Sequence, residues 1–268
     1  MAVLSCISQW DKVVRVAVFS DVHGNPYACR AVLHAIDADG VFDVAVAAGD
    51  LCYGGSDPAG CVDMLRQAGV QAVYGNTDEF IFAPQKSPPD EEHLREWDLI
   101  QAVSLWAANR LGPERVAWLA GLPFKLSFSP TSDPSDALLV VHANPKNVHD
   151  YIGPPFEEQV KLKGKIVQPD DDPGLTTLLA DMPAAVIAFG HLHYTSLRRW
   201  RNKLLVNVAP CSVSPYDGDH RARYTVFTWV GDEWKLERRY VDYNYTQAVE
   251  DLRASDMPDK EGKAKYLN

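Results

Sequence analysis

Five mostly apolar runs in this chain, at 13–19, 44–47, 71–74, 137–141 and 185–189, each close on a short polar segment that carries Asp, Asn or His. The segments are Asp-Val-His-Gly-Asn at 21–25, Gly-Asp at 49–50, Gly-Asn-Thr-Asp at 75–78, Val-His-Ala-Asn at 141–144 and Gly-His-Leu-His at 190–193. Short apolar runs bounded by turn residues read as buried strands, and α/β sheets collect functional groups at neighbouring strand ends. The chain therefore calls for a fold in which five strand ends meet.

Taken singly, each segment has a plainer explanation: Asp-Val-His as a hydrogen-bonded turn, Gly-Asp and Gly-Asn as ordinary turns. Gly-His-Leu-His says more, because residues two apart on an extended segment share one face and can reach one centre, although a solvated histidine pair stays open there. Joint occurrence carries the reading, since five of the eight histidines, counting His149 nearby, fall in or beside these segments. Asp21, His23, Asp50, Asn76, His142, His191 and His193 together supply oxygen and imidazole donors enough for a two-metal centre. No thiolate joins that set, which argues against a structural zinc site and suits Mn²⁺, Fe²⁺, Zn²⁺ or Ni²⁺.

At 268 residues and 46% hydrophobic content, the chain can bury the core of one large domain, residues 1–268. The net charge of −10 speaks against stable nucleic-acid binding through phosphate neutralisation. Five cysteines without a Cys-x-x-Cys pair fit a reducing cytoplasm rather than a disulfide framework. The first twelve residues show no leader pattern, and no run approaches the ~20 apolar residues that span a bilayer, so no membrane association is expected. Oligomeric state leaves no mark in the sequence.

Asn25 should cap a helix starting near Pro26, and Ser56 or Asp57 one over 58–68, giving β-α-β steps through strands 13–19, 44–47 and 71–74. Residues 79–122 read as a cap-like helical insertion beside the site, with Leu94, Trp97, Ile100, Leu105 and Trp106 in helical spacing and a short helix over 113–119. Phe80, Phe82, Trp97 and Trp106 are core staples or a stacking platform, the two tryptophans reading better as core. Strand-like runs at 124–128, 137–141, 185–189, 204–208, 223–230 and 234–243 suggest a second sheet, with Lys235, Glu237 and Arg239 on a wet face. Arg198, Arg199, Arg201, Arg221 and Arg223 read as solvated hairpin faces, the tail from Thr246 as a polar, frayed helix, and 144–174 as a long loop at the site mouth. Two sheets flanked by helices result.

The five segments resemble the motifs of the calcineurin-like metallophosphoesterases: D-x-H, G-D, G-N-x-D/E, a lone His, then G-H-x-H, in that order. Two longer stretches, GDLCYGGSDP at 49–58 and PCSVSPYDGDHRARY at 210–224, are similar to a bacterial-type branch holding small phosphodiesterases and diadenosine-tetraphosphatase-like proteins. The resemblance implies an α/β (α+β) fold, a four-layer αββα sandwich of two mixed β-sheets. It implies two divalent transition metals, Mn²⁺ or Fe²⁺ foremost, with Asp21, His23 and His193 on one, Asn76, His142 and His191 on the other, and Asp50 bridging. Water between the metals would then attack a phosphodiester or phosphoanhydride of a small nucleotide-like substrate. Asp50, Asn76, Asp78 and His142 carry catalytic expectations; Lys146, His149 and Asn25 are candidate substrate contacts, with plain solvation the alternative for Lys146.

Thr77 stands where the better-known G-N-H-D/E pattern has a histidine that protonates the leaving group. Without it, anhydride or aryl leaving groups are favoured over alkoxides, unless Asp78, His149 or water supplies the proton. The alternatives are phosphomonoesterase or Ser/Thr protein phosphatase activity, or a non-catalytic scaffold, which the complete ligand set disfavours. A metallo-β-lactamase-type hydrolase lacks its H-x-H-x-D-H cluster here.

Overall fold

The computed structural model describes residues 15–84, 94–154, 173–208, 210–213 and 218–267. Met1–Lys12, most of the 144–174 loop and part of the 210–224 stretch lie outside the described residues.

Strand β1 (Arg15–Phe19) is buried from its second residue onward, so it belongs at a sheet's centre rather than its edge. It pairs in parallel with β2 (Val44–Ala48), which pairs in parallel with β3 (Gln71–Val73). Helix α1 (Pro26–Ala38) joins the first two strands and α2 (Pro58–Gln67) the next two. Each starts where expected: Asn25 Oδ1 accepts from the Tyr27 and Ala28 amides at 3.1 and 3.2 Å, and Asp57 Oδ1 from the Gly60 amide at 2.8 Å.

The second sheet takes β4 (Lys125–Phe128), β5 (Leu138–Val141), β6 (Val186–Phe189), β7 (Thr195–Trp200) and β8 (Lys203–Val208), in the order β4-β5-β6-β8-β7. The expectation that the last two strands extend this sheet is overturned. β9 (Ala222–Val230) pairs antiparallel with β1, Val16 opposite Phe227, and β10 (Glu233–Val241) pairs with β9, so the first sheet runs β10-β9-β1-β2-β3. The alternation along β10 marks a sheet with one wet face; it carries no information on which sheet the hairpin joins.

Val16, Val18, Val44 and Val46 of the first sheet meet Leu138, Val140, Val186 and Val206 of the second in one apolar layer. Their strand neighbours point the other way. Ala17, Phe19 and Ala47 pack under α1 and α2, while Leu139, Val141 and Ile187 pack under Leu175 and Leu179 of α5 (Pro173–Leu179). Helices, sheet, sheet and helix thus make four layers, the expected sandwich of two mixed sheets.

Three further findings concern the segments read as helical, basic or frayed. Helix α3 (Asn76–Phe82), not expected, starts inside the third polar segment, whereas α4 (Leu94–Ala120) covers the expected helical spacing and is broken at Gly112 (φ 71°) just before Pro113, where the short helix was expected. Trp97 is buried against Phe80, and Trp106 packs on the core while its indole donates to Asp256. The basic run at 198–201 lies on β7 and its turn, with alternation inverted: Arg198 is 2% exposed and donates to the Gly153 carbonyl, whereas Leu197 is 43% exposed. Arg223 is buried as well. The tail forms α6 (Tyr245–Ala254) and α7 (Lys260–Leu267), whose Leu252, Ala264 and Leu267 are buried in the main core rather than frayed.

Candidate metal centre

The loops after β1 and β2 are laced together by backbone hydrogen bonds from Asp21 to Gly49 (3.0 Å), His23 to Asp50 (2.9 Å) and Gly24 to Leu51 (3.0 Å). The lacing holds an unusual backbone. Asp21, His23, Asp50, His191 and His193 all have φ between 49° and 70°, where residues other than glycine are strained. Gly49, with φ 82°, leaves no room: a Cβ there would lie 2.6 Å from His142 Nδ1.

All seven sequence-nominated donors converge. Asp21, His23, Asp50 and His193 offer ligand atoms that lie within 4.8 Å of one another. His23 Nε2 is 3.0 Å from His193 Nε2 and 3.7 Å from Asp50 Oδ2, and His193 Nε2 is 3.5 Å from Asp21 Oδ1. Alongside, Asn76 Oδ1 lies 2.9 Å from His142 Nε2 and 3.0 Å from His191 Nδ1, and the two ring nitrogens are 3.2 Å apart. Asp50 faces both groups, its Oδ1 being 3.3 Å from His142 Nε2.

These distances fit a cation in each group. Two donors each ~2.1 Å from one ion and at right angles stand ~3.0 Å apart. The ring orientations agree: His23 Nδ1 donates to the Tyr53 carbonyl and His142 Nδ1 to the Ala48 carbonyl, each at 2.9 Å, which turns both Nε2 lone pairs inward. Burial brings His23 down to about 4, against the pull of Asp50, and brings His191 to about 4 with help from the His142 charge. Both are thus neutral donors at pH 7. Burial opposes ionised carboxyls, yet the surrounding imidazoles hold Asp21 and Asp50 below their ordinary values. For His142 burial is outweighed by Asp50 and Asp21, which push it up.

The other nominated residues do different things. Asp78 is fully buried; its carboxylate accepts from the Leu51 amide at 2.9 Å and the Gly75 amide at 3.0 Å, clamping the β2 and β3 loops. Burial and the Asp50 charge push it up to about 6. Asn25 spends its oxygen on the α1 cap and donates to Ser212 Oγ at 3.1 Å. Lys146 pairs with Asp181 at 3.7 Å, and His149 with Glu79 at 2.9 Å. The Thr77 amide donates to Asp50 Oδ1 at 3.0 Å, while its buried hydroxyl has no hydrogen-bond partner among the described residues. Sequence reasoning passed over Tyr53, Ser212 and Lys263, which line a cavity reaching His23 and His193. The first two lie in stretches singled out for resemblance, whereas nothing marks Lys263 in a polar tail.

The sequence model of the calcineurin-like phosphoesterases matches residues 14–195, more than half of the chain. The chain belongs to the calcineurin-like phosphoesterase family. An uncharacterized protein of Methanocaldococcus jannaschii is 24% identical over 94% of this chain and 97% of its own length. A metallophosphoesterase from Sphaerobacter thermophilus is 20% identical with a TM-score of 0.68, covering 95% of this chain and 98% of that one. A hypothetical protein from Pyrococcus horikoshii OT3 is 17% identical with a TM-score of 0.71, covering 94% and 98%. Both solved structures share the fold, including the part beyond residue 195. Family membership and the Asp/His cluster together mark a divalent metal centre. Among the described residues, no helix is long and apolar enough to cross a membrane.

Proposed function

We propose that this phosphoesterase-family chain hydrolyses phosphodiester or phosphoanhydride bonds of small, nucleotide-like substrates, using two divalent transition-metal ions, Mn²⁺ or Fe²⁺ foremost. Asp21, His23 and His193 would hold one ion, Asn76, His142 and His191 the other, and Asp50 would be shared. The observation that carries this is the Asp50 carboxylate, whose Oδ2 faces His23 and whose Oδ1 faces His142. One carboxylate addressing two imidazole groups from opposite oxygens suits a shared ligand better than a single site.

When bound, paired ions supply Lewis acidity to the phosphoryl group and acidify water. The chain's own contribution is placement. Ser20 Oγ, 2.5 Å from Asp21 Oδ2, and the His191 amide, 3.2 Å from Oδ1, orient that carboxylate. Asp78 acts as a positioning residue, because its oxygens are occupied by amides on the two loops that present Asp50 and Asn76. His149 is held by Glu79, and Thr77 offers only a hydroxyl, so the leaving oxygen departs with little proton assistance. That favours anhydride and aryl leaving groups over the alkoxide of a phosphoserine, and a turnover enzyme over a scaffold. A reducing, cytoplasmic setting belongs to the proposal, supported by four buried free thiols among the described residues.

Elemental analysis of chelator-stripped protein reloaded with Mn²⁺ or Fe²⁺ should find two ions per chain, and a panel of diesters, anhydrides and monoesters should show turnover on the first two classes. One ion or none overturns the shared-ligand assignment. Full loading without turnover on any ester overturns the enzymatic reading.

A further inference from the structure

Beside the metal centre lies a cavity of about 250 Å³ that none of the proposed chemistry uses. His23 and His193 form part of its wall, so it is continuous with the ligand cluster. Ala248 and Leu252 of α6 and Leu267 of α7 supply apolar wall, and Lys263 of α7 supplies a cation. Small-molecule pockets have this character, a mostly apolar concavity with a few placed polar groups.

Lys263 is held in place. An added Cβ on Gly54 would lie 3.6 Å from Lys263 Cδ and Cε, so the lysine stem runs along the bare backbone of the loop that follows Asp50. Its ammonium lies 5.0 Å from the centre of the Tyr53 ring; burial pulls its pKa down, against the opposing charges of Asp259 first and Asp50 next. The family match ends at residue 195, yet Ser212, Ala248, Leu252, Lys263 and Leu267 all come after it. The segment that the family model matches is thus joined to a wall supplied by the C-terminal helices, which lie beyond that match.

Resting on the phosphoesterase reading, we propose that this cavity seats the organic substituent of the scissile phosphate and that Lys263 pairs with the phosphoryl charge at its mouth. Inorganic phosphate would leave the apolar wall uncovered, while about 250 Å³ lies just below the roughly 300–1,000 Å³ of drug-sized ligand sites. A single compact organic group, an aryl ring or one nucleoside, is the class that this space suits.

Equilibrium binding to the metal-loaded full chain tests this with three probes: inorganic phosphate, phenyl phosphate and adenosine 5′-monophosphate. The unmodified protein should prefer both organic phosphates over inorganic phosphate. Ala248→Phe, which fills the cavity, should cut that preference about tenfold, and Lys263→Met, which keeps the stem, should weaken all three probes about tenfold. Absence of any preference in the unmodified protein overturns the cavity assignment even if Ala248→Phe does not fold. An unchanged preference in folded Ala248→Phe overturns it too, and unchanged binding in Lys263→Met overturns the lysine's part. Because product binding is read rather than turnover, these failures in an active enzyme condemn the cavity alone.

Discussion

His193, like the four other donors with positive φ, sets conformational strain against metal binding, and with φ 55° and a side chain 25% exposed it is one where the two can be separated. A left-handed L-residue costs on the order of 1–2 kcal/mol, which glycine escapes. His193→Gly should therefore leave the metal-free protein at least as stable as the metal-free parent while cutting turnover at least ~100-fold, since weaker outer contacts of metal sites already cost ~10–100-fold. Denaturant unfolding of both stripped proteins, beside assays of the loaded ones, checks this; a marked loss of metal-free stability would show that the strained loop is not under tension. Thr77 permits a second expectation. With no imidazole at this position, each unit of leaving-group pKa should raise the barrier by a sizeable part of ~1.4 kcal/mol across a series of aryl phosphodiesters. Thr77→His should flatten that dependence and help the poorest leaving groups most. A shallow slope in the unmodified enzyme would mean that Asp78, His149 or water already delivers the proton, and the preference for anhydride-like substrates would fall.

Between residue and fold stand the loops, and their geometry depends on glycines that side-chain chemistry alone does not explain. Gly49 combines φ 82° with a Cβ position 2.8 Å from the Gly75 amide nitrogen, so Gly49→Ala must displace either the β3 loop or His142. Metal content should drop toward one ion per chain, with turnover falling in step, before circular dichroism registers any loss of secondary structure. Full loading in Gly49→Ala would show the loops to be slack. The same elements explain what could be read from sequence. Asn25 and Asp57 announce α1 and α2 because their caps precede the helices. α3 escaped notice because its start has glycine at the cap position and is closed from within by Asp78, the carboxyl expected to act on substrate.

Across the whole molecule, the seven converging donors were legible because each follows an apolar run directly, a local relation. Sheet membership is not local: nothing near Phe227 says that it faces Val16 from more than two hundred positions earlier. Likewise the polar tail conceals that Leu252 and Leu267 anchor helices which wall the cavity. Trp234 shows what the relocated hairpin does. It lies on β10, an edge strand of the first sheet, yet it is buried in the layer between the sheets, meets Trp229 edge-on at 5.6 Å and donates its indole N–H to the Asp136 carbonyl at 2.6 Å. Asp136 ends the turn that leads into β5, so this one side chain ties the edge of one sheet to the start of the other. Trp234→Ala should cost about 3–5 kcal/mol, the range for emptying a large aromatic site, and lower the melting temperature by on the order of 10 °C. Trp234→Phe keeps most of the packing but strands the carbonyl, which should cost about 1–3 kcal/mol. Since β9 separates β10 from β1, metal content and kcat/KM of the folded variants should hold at their parental values. Loss of metal at unchanged stability would reverse the assignment, making the hairpin a support of the centre rather than a fastening between sheets.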